Sequence, residues 1–223
     1  GHAVLCALDE LPMEGTLLVM FGDTPLFRSE TLSHLLSVHQ EEGNLATFLT
    51  ATIDEAGSYG RLIRDADGRP LRIVEASEAS AEELLVNEIN TGASVFDLAW
   101  LRGELPSFEP HAPKNEIYLT DALERAAQRG RAGAVILSDL QEADGVNDRW
   151  HLAKAEEVLQ QRILKRHSLN GVRFEDLSGT RVDAAVSIER DVTIGRGVEL
   201  RGGTTIKTGV RVGAYSVVED CAV

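Results

Sequence analysis

Cysteine is scarce in this chain: only Cys6 and Cys221 occur among 223 residues. Two cysteines so far apart in sequence indicate no disulfide framework, so a reducing cytoplasm is the expected compartment. The sequence shows neither a signal-peptide pattern nor an apolar run long enough to cross a bilayer, and we expect no membrane partner.

Basic residues are also few, with 22 Lys and Arg against 36 Asp and Glu and a formal net charge of −14. A broad nucleic-acid surface needs clustered Lys and Arg, so this composition argues against nucleic acid as a partner. A nucleotide in a local pocket is still compatible with it. Hydrophobic residues make up 43% of the sequence, which is enough for a core, and the length allows more than one domain.

The two ends of the sequence look incomplete. The chain opens at Gly1 without an initiator methionine and stops at Val223 inside a repeat that has no capping segment. We therefore expect a chain that is truncated at both ends.

The most informative run is the apolar segment 17–21, which Gly22 and Asp23 follow directly. Such a run predicts a buried strand, and ligands of open α/β sheets bind beyond the carboxyl ends of strands. A carboxylate at that position is a suitable oxygen ligand for Mg²⁺ bound to a phosphate ester. The alternative is that Asp23 only begins a turn with Pro25.

Strand and helix patterns alternate over the first part of the chain, which is typical of a mostly parallel α/β sheet. Ser29 and Thr120 are placed to cap helices. Further strands are predicted at residues 45–53, 71–75, 88–96 and 134–137.

A long helix is predicted over residues 148–167, and Asn170 with Gly171 ends it. Its position suggests a connector between two domains. The predicted domains are a partial nucleotide-binding α/β domain, the connector helix and a repeat domain, which cover residues 1–147, 148–171 and 172–223.

The periodicity changes to six after residue 185. Six consecutive hexads run from Val186 to Cys221, and the third position of each is aliphatic. This is the hexapeptide signature of a parallel β-helix, in which three hexads make one coil. We expect Val192, Val198 and Val210 to stack in the core, and an alternating β meander is the other interpretation. The expected turn glycines are Gly195, Gly203, Gly209 and Gly213.

Three motifs of the first part suit a sugar ligand. Gly60, in a glycine-containing loop, lets the backbone approach a ligand closely. Glu75, at a strand end, can accept a hydrogen bond from a sugar hydroxyl, and Asn90 can both donate and accept. The alternatives are a simple turn, a solvated surface carboxylate and an Asx-turn, respectively.

Asn147 belongs to a fourth motif, just before the predicted connector helix. Its neutral oxygen could complete a metal site with Asp23. The alternative is a helix-capping role for this stretch, for which Asp148 is well suited.

The order and spacing of these motifs, together with the hexads, resemble the bacterial N-acetylglucosamine-1-phosphate uridyltransferase family, whose complete members also carry a glucosamine-1-phosphate acetyltransferase. The resemblance covers essentially the whole chain. Its most specific elements are Ile-Asn-Thr-Gly at 89–92, Tyr-Leu-Thr-Asp at 118–121 and Gly-Val-Asn at 145–147. It implies an α/β fold with a Rossmann-like nucleotidyltransferase domain, a long helix and a left-handed parallel β-helix that forms a homotrimer.

The resemblance also implies roles for individual residues. Asp23 and Asn147 are the implied protein ligands of Mg²⁺. The implied contacts with the sugar nucleotide are made by Gly22, Asp23, Gly60, Glu75, Asn90 and Asn147.

Two departures from the family pattern stand out. Ser77 occupies a position where family members often have lysine. The glycine-rich loop that cradles the nucleotide phosphates in the family does not occur before Asp23. We therefore assign no catalytic residue and expect no turnover by this chain alone.

The implied reaction transfers a uridylyl group from UTP to N-acetylglucosamine 1-phosphate and gives UDP-N-acetylglucosamine, a cell-wall precursor, and pyrophosphate. No residue is assigned to acetyl transfer, because the family's acetyltransferase residues lie in later coils. Two other functions stay open: a nucleotidyltransferase for a different sugar 1-phosphate, and a non-catalytic scaffold subunit of the same architecture.

Overall fold

The structure is a computed structural model that describes residues 1–112 and 115–223. It divides into two compact units, Gly1–Gly145 and Val146–Val223. Within the described residues, no helix is both long and apolar enough to cross a membrane.

The first unit alternates helices and strands. In chain order these are α1 (His2–Ala7), β1 (Thr16–Val19), α2 (Ser29–Glu41), β2 (Ala46–Thr52), β3 (Arg61–Arg64), β4 (Pro70–Val74), β5 (Glu88–Asp97), α3 (Leu98–Glu104), α4 (Asp121–Ala127) and β6 (Ala132–Ile136). Short 3-10 helices cover Leu8–Glu10, Glu83–Leu85, Leu105–Ser107 and Leu140–Ala143.

The six strands of this unit form one mixed sheet in the order β4-β3-β5-β2-β6, with β1 also paired to β5. Among the described strands of this sheet, only the pair β2 and β6 is parallel. Strand β5 is antiparallel to its partners β1, β2 and β3, and the pair β3 and β4 is antiparallel as well. The prediction of a mostly parallel sheet was therefore wrong. An apolar strand pattern reports burial and does not report the direction of the partner strand. The prediction of a buried central strand at 17–21 was also wrong, because β1 pairs only with β5 among the described strands and its residues are half-buried or exposed.

Apolar clusters cover both faces of this sheet. Phe48 and Phe96 belong to one cluster, whereas their chain neighbours Leu49 and Val95 belong to the other. This division is expected because successive side chains of a strand point to opposite faces. The two phenylalanine rings meet edge to face with centroids 5.6 Å apart. The sheet is thus a central layer that can hold loops in fixed positions at its edges.

The amino end of α2 is stabilised from a distant part of the chain. The predicted cap Ser29 was wrong, because the N-cap position is Arg28 and no side chain caps it locally. Instead the buried carboxylate of Glu142 accepts hydrogen bonds from the Arg28 backbone N–H at 2.8 Å and from the Thr31 hydroxyl at 3.0 Å. A negative charge at a helix N-terminus is favourable.

The second unit begins with the helix α5 (Arg149–Leu169), close to the predicted bounds. Asp148 caps it, as expected, by accepting a hydrogen bond from the His151 backbone N–H at 2.8 Å. The helix ends at Asn170, and Gly171 follows with φ +94°. Eight short strands follow: β7 (Arg173–Phe174), β8 (Arg181–Val182), β9 (Ser187–Ile188), β10 (Thr193–Ile194), β11 (Glu199–Arg201), β12 (Thr205–Ile206), β13 (Arg211–Val212) and β14 (Val217–Glu219).

These strands form three parallel sheets, β7-β10-β13, β8-β11-β14 and β9-β12, which the chain visits in turn. Within the hexads, residues that pair between neighbouring strands are three hexads apart along the chain, as Thr193 of β10 and Arg211 of β13 are. The third hexad positions Ile194, Leu200 and Ile206 are fully buried, and Val210 is only half-buried.

Two of the four predicted turn glycines, Gly203 and Gly209, lie in turns. Of the four, only Gly209 has a positive φ, and Gly197 and Gly202 adopt the left-handed conformation instead. Gly195 is needed for a different reason, because a Cβ there would lie 2.7 Å from the backbone nitrogen of Ala214. Close approach of two chain segments and a left-handed turn both select glycine, and the sequence alone does not separate them.

Candidate sugar-nucleotide site

An open cavity of about 640 Å³ lies in the first unit. Its lining includes Phe21, Glu75, Asn90, Gly92 and Thr120. A cavity of this size is within the usual range for small-molecule sites. Two of the predicted site residues, Glu75 and Asn90, therefore face the same space.

Strand register places three predicted residues in one row. Arg61 of β3 pairs with Val74 of β4 on one side and with Ile89 of β5 on the other. Both pairings are antiparallel, so the next positions outward are Gly60, Glu75 and Asn90. The Asn90 backbone N–H donates to the Gly60 carbonyl oxygen at 3.0 Å, which extends the pairing by one step.

Gly60 leaves no room for a larger side chain. A Cβ at this position would lie 3.0 Å from a methyl carbon of Ile73 and 3.4 Å from Oε2 of Glu75. A substituent here would therefore press on the carboxylate that faces the cavity. Gly60 thus allows close packing of Ile73 and Glu75, and the expected approach of a ligand to its backbone stays a prediction.

The Glu75 carboxylate is half-buried and accepts a long hydrogen bond of 3.4 Å from the Thr120 hydroxyl. Burial is the main cause that raises the pKa of Glu75 above its ordinary value. The Thr120 hydrogen bond and the charge of His111 oppose this rise, whereas Glu78 and Asp121 add to it. A partly desolvated carboxylate forms stronger hydrogen bonds than a solvated one.

Asn90 makes the contact of an Asx-turn and also has an amide donor that is available to a ligand. Its Oδ1 accepts a hydrogen bond from the Gly92 backbone N–H at 3.1 Å, which is the Asx-type contact. Its amide nitrogen forms no hydrogen bond with any residue that the structure describes, and the residue lines the cavity. The local contact thus orients the side chain and leaves its donor group for a ligand.

Gly92 and Phe21 bring the end of β1 to the same cavity. Strand β1 pairs with residues 94–97 of β5 and β3 pairs with Ile89, so the stretch 90–93 lies between the two partners. Gly92 has φ +89°, and a Cβ there would overlap the ring of Phe21. The aromatic ring lies directly over the glycine, and both residues line the cavity.

Gly22 and Asp23 follow Phe21 in an exposed turn. The Thr24 hydroxyl donates to the Phe21 carbonyl oxygen at 3.0 Å, so the alternative reading of a turn is correct as far as the backbone is concerned. Within the described part of the chain, the Asp23 carboxylate has neither a hydrogen bond nor an ion pair. It is therefore available to a cation.

Asn147 lies in the second unit and is exposed, next to the helix-capping Asp148. Two residues earlier, in the first unit, a Cβ on Gly145 would lie 3.9 Å from the Asp23 carbonyl oxygen. The pairing of Asn147 with Asp23 stays a prediction. The described residues contain no group of three or more His, Cys, Asp or Glu side chains that could hold a metal by themselves.

Sequence reasoning missed Arg61. Its guanidinium is buried under the glycine-containing loop and donates to the carbonyl oxygens of Ala56 at 3.2 Å and of Gly57 at 3.0 Å, and also to that of Tyr59. These bonds hold the loop that ends at Gly60. The signal was an arginine at the start of an apolar strand, where a charged side chain needs internal partners.

No family model matches the chain, but curated relatives do. All of the chain is 41% identical over 223 residues to the bifunctional protein GlmU of Caldanaerobacter subterraneus subsp. tengcongensis, and 99% of it is 43% identical over 222 residues to that of Streptococcus thermophilus. The chain belongs to the GlmU family. This confirms the resemblance that the motifs predicted. The chain spans 49% and 47% of those two GlmU proteins, which is about half of their length.

Solved structures agree with this at the level of the fold. A protein of Bacillus anthracis assigned as a glucose-1-phosphate thymidylyltransferase matches 70% of this GlmU-family chain with a TM-score of 0.53 and 16% identity, over 59% of its own length. An apo UDP-glucose pyrophosphorylase matches 72% with a TM-score of 0.56 and 20% identity, over 60% of its length. The chain shares the Rossmann-like fold of sugar-1-phosphate nucleotidyltransferases.

Proposed function

We propose that the first unit provides the sugar-nucleotide site of an enzyme that transfers a uridylyl group from UTP to N-acetylglucosamine 1-phosphate, with UDP-N-acetylglucosamine and pyrophosphate as products. The observation that carries the proposal is the row of Gly60, Glu75 and Asn90 across three neighbouring strands, of which Glu75 and Asn90 line one cavity. The membership in the GlmU family supports it independently.

The two members of the row that line the cavity, Glu75 and Asn90, suit a pyranose ring. Glu75 accepts hydrogen bonds from sugar hydroxyls, and its partial burial makes those bonds strong. Asn90 keeps its amide donor for the ligand, and Gly60 leaves room for the Glu75 carboxylate beside it. The Ile-Asn-Thr-Gly motif at 89–92 favours an acetamido sugar over glucose by resemblance to the family.

We propose that Mg²⁺ binds at the end of β1. Asp23 offers a carboxylate without a partner among the described residues, and we propose that Asn147 adds a neutral oxygen. Such ions keep water and phosphate oxygens as most of their ligands, so one or two protein ligands suffice. When bound, the ion would neutralise charge on the nucleotide phosphates.

The contribution of the chain to the reaction is positioning. In the proposed step a phosphate oxygen of the sugar phosphate attacks the α-phosphorus of UTP in line, and pyrophosphate leaves. This chemistry depends on orientation and charge neutralisation more than on covalent participation of the protein. Gly60, Glu75 and Asn90 would hold the sugar, and therefore its phosphate, in one orientation.

For the second unit we propose that its three parallel sheets begin a left-handed β-helix and that this β-helix assembles as a homotrimer. The support is the sequential visit to three sheets and the buried third hexad positions. The relatives are named bifunctional. Acetylation of glucosamine 1-phosphate is the second activity that we propose for the complete protein, without residues assigned to it in this chain.

A thermal-shift titration of the chain tests the proposal. UDP-N-acetylglucosamine at about 100 times its Kd should stabilise the fold by about 2.7 kcal/mol, and UDP-glucose should stabilise it less. Equal stabilisation by both would favour an enzyme for another sugar. The absence of any shift with either ligand would favour the scaffold function and contradict the proposal.

Replacement of one carboxylate tests the metal ligand. Mg²⁺ should increase the stabilisation by UDP-N-acetylglucosamine in the wild type, and Asp23→Asn should abolish that increase because the amide is a weaker ligand than the carboxylate. Asp9→Asn, at another exposed carboxylate of the same unit, is the control and should keep the increase. If Asp23→Asn also keeps it, Asp23 is not a ligand.

A further inference from the structure

His111 lies between two carboxylates from different elements, and the proposed function gives it no role. Its Nε2 is 2.9 Å from Oδ2 of Asp121, the first residue of α4, and its Nδ1 is 3.2 Å from Oε1 of Glu78, in the turn after β4. One face of the ring stacks on Tyr118, with centroids 4.2 Å apart and an interplanar angle of 23°. The imidazole therefore links three parts of the unit.

Both contacts together require the charged ring. An ionised carboxylate only accepts hydrogen bonds, and a neutral imidazole has a single N–H, so only the imidazolium can donate to both partners. The two carboxylates raise the pKa of His111 above its ordinary value, and the hydrogen bond to Asp121 is the largest cause. The geometry and the charge are thus mutually consistent.

The backbone of His111 is tied to the wall of the cavity. Its N–H donates to the Glu116 carbonyl oxygen at 2.8 Å, and the Glu116 N–H donates back at 3.3 Å. Residues 116–120 line the cavity and lead to Thr120, whose hydroxyl donates to Glu75. His111 therefore holds this stretch at both ends, through Glu116 by its backbone and through Asp121 by its ring.

The charge of His111 also balances the acidic groups around the cavity. Glu78 and Asp121 face the ring nitrogens, Tyr118 covers one face, and the charge acts on Glu75 as well. Glu78 and Asp121 raise the pKa of Glu75, whereas His111 lowers it. A neutral ring would leave three carboxylates without this compensation.

We propose that His111 is a positioning residue: its imidazolium holds Glu78 and Asp121 together, fixes the wall 116–120 against Glu75, and thereby couples sugar-nucleotide binding to its own protonation. The ligand part of this proposal rests on the proposed function, whereas the link between His111 and the wall does not. As the pH rises through the titration of His111, one of the two N–H groups is lost, so the wall loosens and the affinity falls.

Calorimetric titration with UDP-N-acetylglucosamine from about pH 6 to about pH 9 tests the ligand part. The affinity of the wild type should fall about five- to tenfold toward the alkaline end, which corresponds to the loss of one or two hydrogen bonds. His111→Gln cannot carry the charge, so it should bind weakly at every pH and show no such fall. His34→Gln, at an exposed histidine of α2, should follow the wild type. A fall that persists in His111→Gln would overturn the proposal.

Hydrogen exchange without ligand tests the wall itself, whatever the chain binds. The backbone N–H of Glu116 donates to His111 and that of Asp121 donates to Tyr118, so their exchange reports opening of the wall. After correction for the intrinsic pH dependence of exchange, their protection should fall at alkaline pH in the wild type and be low at every pH in His111→Gln. Unchanged protection in the variant would contradict the proposal, even if UDP-N-acetylglucosamine binds.

A second variant guards against a folding defect in the first. Glu78→Gln removes one negative charge at a side chain that is 36% exposed, so the variant is expected to fold. It should shift the pH dependence of protection to lower pH because the imidazolium loses one carboxylate partner. If His111 governs protection but the wild type does not bind the sugar nucleotide, the positioning of the wall stands and the proposed function fails.

Discussion

At the residue scale, the site depends on glycines that have two different constraints. Gly60 is limited by space, because its Cβ would meet Ile73 and the Glu75 carboxylate. Gly92 is limited by both space and conformation, with φ +89° and the Phe21 ring over its α-carbon. Both glycines were predictable as points of close backbone approach, but only the structure separates the two causes.

Gly92→Ala should destabilise the first unit by about 1–3 kcal/mol, because the added methyl group overlaps Phe21 and the left-handed backbone disfavours alanine. Urea unfolding followed by circular dichroism measures this. Gly103→Ala is the matched control: Gly103 lies in α3 with an ordinary φ and open space around it, so its replacement should be neutral or stabilising by up to about 1 kcal/mol. Equal effects of the two substitutions would contradict the account of Gly92.

The Glu75 carboxylate opposes the stability of the unliganded fold. Because burial raises its pKa in the folded state, the charged form is disfavoured there, and the carboxylate costs stability at pH values above its ordinary pKa. Ligand binding is instead favoured by the charged form, because only the charged form accepts hydrogen bonds at both oxygens. A residue that destabilises the apo protein and strengthens binding is typical of a binding site.

At the element scale, the sequence predicted the long or strongly apolar elements best. The strands β2, β4 and β5 and the helices α4 and α5 lie within a few residues of their predicted bounds. Strand β3 was missed, because Arg61 and Arg64 at its two ends conceal a short apolar pattern. The guanidinium of Arg61 finds carbonyl partners only after the chain folds, and no local pattern reports such long-range satisfaction.

Local sequence patterns also did not predict that β5 is antiparallel to its neighbours. This strand direction brings the site residues together. In the sequence, Gly60, Glu75 and Asn90 belong to three separate motifs, and each motif also has an interpretation without a ligand. Their position in one row depends on the register of β3 against β4 and β5. The candidate residues could therefore be predicted, whereas their convergence follows from tertiary pairing that the sequence does not show directly.

In the second unit, a carboxylate directly after β9 bonds to the segment directly after β12. Glu189 accepts hydrogen bonds from the Thr208 backbone N–H and hydroxyl, both at 2.8 Å, and from the Lys207 ammonium at 3.0 Å. These bonds lower the pKa of Glu189 to about 2. Its folded-state pKa lies below the unfolded one, so the carboxylate stabilises the fold at neutral pH, and this contribution is lost as the pH falls from about 4.5 toward about 2.

Glu189→Gln should therefore lower the melting temperature at neutral pH, and its difference from the wild type should shrink on acidification across that range. Thermal unfolding by circular dichroism at a series of pH values measures this. Glu219→Gln is the control, because that exposed carboxylate has only a 4.0 Å contact with Arg201. A difference between Glu189→Gln and the wild type that does not depend on pH would show that the carboxylate charge is not what joins these two segments.

At the scale of the whole molecule, similarity to GlmU covers both compact units, whereas the proposed sugar site, without the metal ligand Asn147, belongs to the first unit alone. The cavity, the row of three residues and the wall that His111 holds are all within Gly1–Gly145. A test of the central claim can thus use the chain as it is and does not depend on the assembly proposed for the second unit.

The most direct measurement is calorimetric titration of UDP-N-acetylglucosamine into the wild type, Glu75→Gln and the control Glu10→Gln, which removes an exposed carboxylate from the 3-10 helix Leu8–Glu10. We expect Glu75→Gln to bind about tenfold more weakly, or worse, because a charge-assisted hydrogen bond is lost, while its unliganded form melts at a higher temperature than the wild type. Glu10→Gln should match the wild type in both respects. Unchanged affinity in Glu75→Gln would contradict the claim that the row of Gly60, Glu75 and Asn90 binds the sugar.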